Sequence, residues 1–189
     1  MTNFPQDPAA PVRMGFEGVS VEVLVAKRAA LKIKEDVSLS SWAVAGAYVL
    51  LGPPTPEAVA GATIRARPGS TSDLIDRLNR HLEDDQMEWF DRAVLIRGLP
   101  PRGLDVAKAL HLEGLLHDLC KNSARVESPF RRDGSSGLAP HQQQEIERYL
   151  LPIVRGVLEL VGVPTETVAE LTAGQESSLR RRPITGANP

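Results

Sequence analysis

Residues 65–82 read RARPGSTSDLIDRLNRHL, and the fold turns on how this stretch is divided. The first five residues carry an extended pattern. Gly69 ends it, and Thr71 or Ser72 can cap a helix whose apolar stripe is Leu74, Leu78 and Leu82. Arg77 and His81 stand four residues apart, so they share a helix face with Asp73 one turn earlier. One reading is a solvated face braced by Asp73–Arg77 and Asp76–Arg80 pairs. The other is an arginine aimed at a phosphate, beside a helix N-terminus at Ser70, Thr71 and Ser72 that favours anions.

Outward from this stretch the chain keeps alternating. Residues 42–51 (WAVAGAYVLL) form a buried-strand run stopped by Gly52, Pro53 and Pro54. Residues 59–67 resume an extended pattern and 89–96 give a third strand. Residues 103–121 give a helix with Leu112, Leu115, Leu116 and Leu119 on one stripe. Residues 123–139 read as a loop. A further helix starts near Pro140, and Pro152 should kink or split it. The order predicts an α+β fold, a small three-stranded and mostly antiparallel sheet flanked by helices, with an extra helix toward the C-terminus.

Residues 1–18 read as a disordered arm and residues 164–189 as a disordered tail carrying Arg180, Arg181 and Arg182. Residues 19–41 are an extension of uncertain structure. Val19, Val21, Val23 and Val25 alternate like a strand, yet Val21, Leu24, Val25, Arg28 and Leu31 also fit a helical face. That leaves residues 42–163 as the main domain.

The chain has 189 residues, with 22 basic and 24 acidic side chains. Such a balance gives no global nucleic-acid signature, so any such contact has to come from a local basic patch. A single cysteine, Cys120, excludes an intrachain disulfide and reads as a core residue. No apolar run is long enough for a membrane span, and a soluble cytoplasmic protein without a membrane partner is the expectation.

Tyr48 taken alone is a core tyrosine whose hydroxyl needs a partner. Glu113 lies at the margin of an apolar stripe, where a carboxylate is half-exposed or paired. His117 is four residues later and can share a metal with it. Carboxylate ligands with few histidines suit Mg²⁺ or Mn²⁺ better than zinc. The His111-x-Glu113 pair lacks the Cys-x-x-Cys that a zinc deaminase requires.

Together these pieces resemble the GIY-YIG nuclease superfamily. Gly46-Ala47-Tyr48-Val49-Leu50-Leu51-Gly52 is similar to its first signature strand. The run from Arg65 to Leu74 is similar to the second signature and the start of the catalytic helix. Asp76-Arg77-Leu78-Asn79-Arg80-His81 matches the Arg-Leu-x-x-His run, WFDRAVL at 89–95 the third strand, and Leu110-His111-Leu112-Glu113 the metal-binding helix. The resemblance implies a metal-dependent endonuclease that hydrolyses nucleic-acid phosphodiester bonds. Tyr48 would be the general base, Glu113 the ligand of Mg²⁺ or Mn²⁺, Arg77 a phosphate clamp, and His81 a positioning or proton-transfer group. Arg65, Arg67, Arg80, Arg131 and Arg132 would contact the nucleic acid, DNA ahead of RNA.

Arg67 and Pro68 stand where the family has Tyr and Ile, and Gly69 keeps its glycine. Pro68 lacks a backbone donor, so the strand is expected not to ladder normally there. The alternative reading is a catalytically degenerate module that binds nucleic acid or a protein partner without cleavage. A third is a structural partner in a larger assembly.

Overall fold

The computed structural model describes residues 12–15, 21–31, 37–58, 60–100, 103–130 and 135–165. The class is α+β. At its centre is a mixed sheet rather than three strands, in the order β1-β2-β5-β3-β4-β6. These strands are β1 (Val12–Gly15), β2 (Val21–Lys27), β3 (Gly46–Gly52), β4 (Ile64–Thr71), β5 (Arg92–Gly98) and β6 (Val126–Glu127). All neighbours are antiparallel except β4 and the two-residue β6, which run parallel.

The three expected strands are therefore the inner part of a wider sheet. The uncertain extension supplies β2, which pairs with β5 from Val21 opposite Gly98 to Lys27 opposite Arg92. Residues 12–15, expected within a disordered arm, form β1 on its outer side. The short helices α1 (Arg28–Leu31) and α2 (Val37–Ser40) follow β2. The expected tail from residue 166 onward lies outside the described residues.

Both faces of the sheet are buried along β2, β5 and β3, and the period-two alternation of side chains divides the core. Ala47, Val49 and Leu51 of β3 face one way with Val21, Val23, Val25, Ile64, Ala66, Val94 and Ile96. Leu112, Leu116 and Cys120 of α4 (Val106–Asn122) cover that face, with Val154, Val157 and Leu158 of α6 (Leu151–Leu160). Tyr48 and Leu50 face the other way with Leu24, Ala93 and Leu95. There Leu74 and Leu78 of α3 (Leu74–Glu83) complete the layer with Trp42, Met87 and Phe90. A sheet packed on both sides explains the unbroken apolar run from Gly46 onward, whereas residues 42–45 precede the strand and Val44 is exposed.

Boundary expectations change: β3 starts at Gly46 rather than Trp42, β4 at Ile64 rather than residue 59 and β5 at Arg92 rather than Trp89, and β6 lies inside the expected loop. The cap of α3 is Asp73, whose carboxylate accepts the Asp76 backbone N–H at 2.9 Å, not Thr71 or Ser72. β4 also runs on through Pro68 to Thr71, with Pro68 opposite Val49. The parallel partner β6 reaches only Ile64 and Arg65, so the outer side of β4 has no ladder to interrupt at Pro68. The helix from Pro140 does not split at Pro152; its irregularity falls just before that residue. α5 (Pro140–Glu145) passes through a π turn (Ile146–Leu150) before α6 resumes with Pro152 in its first turn. Among the described residues no helix is long and apolar enough to cross a membrane.

Candidate active site

A cleft of about 270 Å³ opens along β4, lined by Tyr48, Arg67, Gly69, Ser70, Arg77, Glu113, His117 and Phe130. It exists because β4 carries chemistry on both faces. Ile64 and Ala66 pack on the α4 side, so Ser70, in step with them, faces α4. Arg65, Arg67 and Gly69 alternate to the α3 side. Groups from both layers can then meet at the end of one strand.

On the α3 side, Tyr48 stands under the helix. Its hydroxyl lies 2.9 Å from His81 Nε2, and Arg77 Nε donates to it at 3.3 Å. The Tyr48 and His81 rings meet edge-on, with centroids 5.4 Å apart. Gly69 is the floor beneath this tyrosine. A Cβ at that position would fall 2.3 Å from Tyr48 Cζ and from the hydroxyl oxygen. β3 and β4 place Tyr48 directly opposite Gly69, so the ring passes over the partner strand only because it has no side chain there.

His81 is buried, and its pKa is lowered from 6.5 to about 4. Desolvation is the main cause. The Arg67 and Arg77 charges add to it, and Asp84 opposes it. The imidazole is therefore neutral through the physiological range.

On the α4 side, Glu113 is half-buried and accepts a hydrogen bond from Ser70 Oγ at 2.5 Å. Asp105 caps α4, and its apolar stripe is anchored on the sheet, which points Glu113 along the β4 end. In the sequence Ser70 belongs to a helix N-terminus and to the run similar to the second signature, with no role of its own. Its pairing with Glu113, 43 positions away, has no local signal. Among the described residues no group of three or more His, Cys, Asp or Glu side chains is gathered for a metal. One carboxylate is nevertheless a fitting donor set for Mg²⁺, which keeps several waters and binds one or two carboxylates together with substrate phosphates.

The structure brings Tyr48, Arg77, His81, Glu113 and Arg67 into or against one cleft. Arg67 also reaches Met87 Sδ at 2.9 Å. Arg80 goes elsewhere. It is exposed and paired with Asp76 at 2.6 Å, as a solvated helix face would have it. Arg77 does not make the matching pair with Asp73, whose carboxylate serves the helix cap. That carboxylate also occupies the helix N-terminus suggested for an anion. Arg131 and Arg132 lie outside the described residues.

His111 does not join Glu113 in the cleft lining. It lies 3.5 Å from Ser136 Oγ, and its Nε2 is 3.3 Å from the Glu147 carboxylate without a hydrogen bond. Cys120 is buried, and desolvation pushes its thiol up to about 12, so it is a core side chain and no nucleophile. Phe130 was missed as a site residue because it sits in an aperiodic loop. No family model, curated protein or solved structure matches the chain.

Proposed function

We propose that the chain is a divalent-metal-dependent endonuclease of the GIY-YIG type, with Tyr48 as general base and Glu113 as the metal ligand. The observation that carries this reading is the Tyr48 hydroxyl, held between a neutral His81 and the Arg77 guanidinium in a cleft whose lining also includes Glu113. Core tyrosines need one partner. This one has a hydrogen-bond acceptor on one side and a cation on the other.

The arrangement supports the following division of labour. Arg77 donates to the Tyr48 oxygen, which leaves the hydroxyl hydrogen free to go to His81 Nε2 when the imidazole carries its own proton on Nδ1. His81 accepts that hydrogen bond and aims the phenolic oxygen, and Tyr48, once ionised, can take a proton from an attacking water. Arg77 stabilises negative charge on the phenolic oxygen, and its remaining N–H groups can hold a phosphate oxygen. Ser70 fixes the Glu113 carboxylate. Bound there, Mg²⁺ or Mn²⁺ would offset charge building on the phosphate and leaving oxygen.

The cleft also suits the alternative of binding without cleavage. Arg67 stands where the family has its second tyrosine, and its guanidinium packs against Phe130 at 4.9 Å. One experiment separates the two. Plasmid, single-stranded DNA and RNA are incubated with wild type and Glu113→Ala in Mg²⁺ and in Mn²⁺. The nuclease reading expects cutting by wild type and a loss of about 100-fold or more in the variant. Equally intact substrates in both would remove it.

A further inference from the structure

Among the described residues four arginines lie over aromatic rings, and two of them differ from the others. Arg28, over Phe90 at 4.4 Å, donates to the carbonyl oxygens of Met87 and Leu82. Arg97, over Trp42 at 4.6 Å, is held by Glu22 and the Ser41 carbonyl. Both guanidinium groups are committed to the fold.

Arg65 and Arg67 are not. Arg65 lies 4.5 Å from the Trp89 ring centre and 5.3 Å from that of Phe130, and Arg67 lies 4.9 Å from Phe130. Neither is paired with a carboxylate among the described residues. Arg65 Nε is buried without a hydrogen-bond partner, and Arg67 meets only a thioether sulfur, a weak acceptor. The two rings are themselves stacked, 5.9 Å apart and 20° from parallel. Trp89 and Phe130 are each half-buried, and Phe130 and Arg67 also line the cleft.

We infer that Trp89, Phe130, Arg65 and Arg67 form a shelf on which an unpaired nucleobase stacks beside the phosphate held in the cleft. The substrate is then a single strand, or a strand with a single-stranded flank, rather than continuous duplex. This rests on the nuclease reading of the cleft. A stack of rings and guanidinium groups suits the face of any base, since bases stack on aromatic and on guanidinium planes alike. Guanidinium groups over rings keep their terminal Nη N–H groups for phosphate oxygens. A duplex seals its bases in its own stack and presents only edges and phosphates, so it cannot use ring faces without being opened.

The test measures binding in EDTA, apart from cleavage. Probes are oligothymidylate, oligouridylate and a blunt duplex of the same length. Wild type should bind at least one of the single strands more tightly than the duplex and lose tryptophan fluorescence on doing so. Trp42 is fully buried, so the quench reports Trp89. Phe130→Leu and Arg65→Lys keep bulk and charge but remove the ring face or the guanidinium plane. Each should weaken single-strand binding by about ten-fold, clearly more than it weakens duplex binding.

Single strands bound no better than duplex, absence of the quench, or variants that bind like wild type would each overturn the shelf. If either variant fails to fold, the wild-type preference and quench decide alone. Glu113→Gln, assayed for cutting, keeps the two readings apart. Substrates left equally uncut by wild type and by Glu113→Gln, with a Phe130-dependent quench, would leave the shelf and remove the nuclease. Glu113-dependent cutting with single-strand binding indifferent to Phe130 would do the reverse.

Discussion

At the scale of single residues, His81 and Gly69 carry the sharpest consequences. Folded His81 titrates near 4 and the unfolded side chain near 6.5. As pH falls the unfolded chain binds the proton first, so stability rises with pH across this window. The loss is absent above about pH 6.5, grows below it, and is complete below about pH 4. Its full size is about 3 kcal/mol. Urea unfolding between pH 7.5 and 4.5 should show this slope, and His81→Gln should remove most of that part of it. Gly69→Ala puts a methyl group where the Tyr48 ring and hydroxyl already are. Overpacking of this kind should cost about 2 kcal/mol in unfolding experiments. By moving the hydroxyl off His81 it should also slow any cleavage by about 100-fold. The residue types of this site were legible in the sequence because their spacing on α3 and α4 is local. The floor under Tyr48 was not, because it is a relation between opposite positions on two strands.

At the scale of elements, α3 shows how a polar helix is placed. Asp73 caps it, Leu74 and Leu78 anchor it, and this rotation turns Arg77 and His81 toward Tyr48 while Arg80 stays in solvent. The Asp73→Ala variant should lose about 1 kcal/mol in urea unfolding, whereas Asp73→Asn should lose little, since either side chain caps well. If Asn were as damaging as Ala, the carboxylate would be doing something other than capping. The helix was readable because 3.6-residue periodicity is strong over ten residues. Its start was misplaced because Ser70, Thr71, Ser72 and Asp73 are all competent caps. Only the length of β4, set by pairing with β3 up to Gly46 opposite Thr71, selects among them.

At the scale of the whole molecule, β2 decides whether residues 19–41 are an appendage or part of the core. Glu22 sits opposite Arg97 in the β2–β5 pairing, and Arg97 Nε donates to its carboxylate at 2.8 Å. Both side chains are about 15% exposed or less. Losing one partner of so buried a pair should cost roughly 3 kcal/mol in Glu22→Ala, read from urea unfolding. Replacing both partners with apolar residues should restore much of that loss. An appendage would give a change within about 0.5 kcal/mol.

The sequence by itself determined the α+β class, the inner strands and the two helices that carry the candidate site, because each is written in short-range periodicity, caps and breakers. It also set out the candidate residues in order, but it could only suggest that they work together. The tertiary structure decided the width of the sheet, since β2 fits two periods and only its ladder to β5 selects one. It decided the pairing of Ser70 with Glu113 and the stacking of Arg65 and Arg67 on Trp89 and Phe130. Those contacts join positions far apart along the chain, and no local pattern encodes the distance between them. In residues 65–82 the reach of each kind of information is visible. The helix and its stripe follow from the letters, whereas the site exists because β4 passes between two layers and offers one face to each.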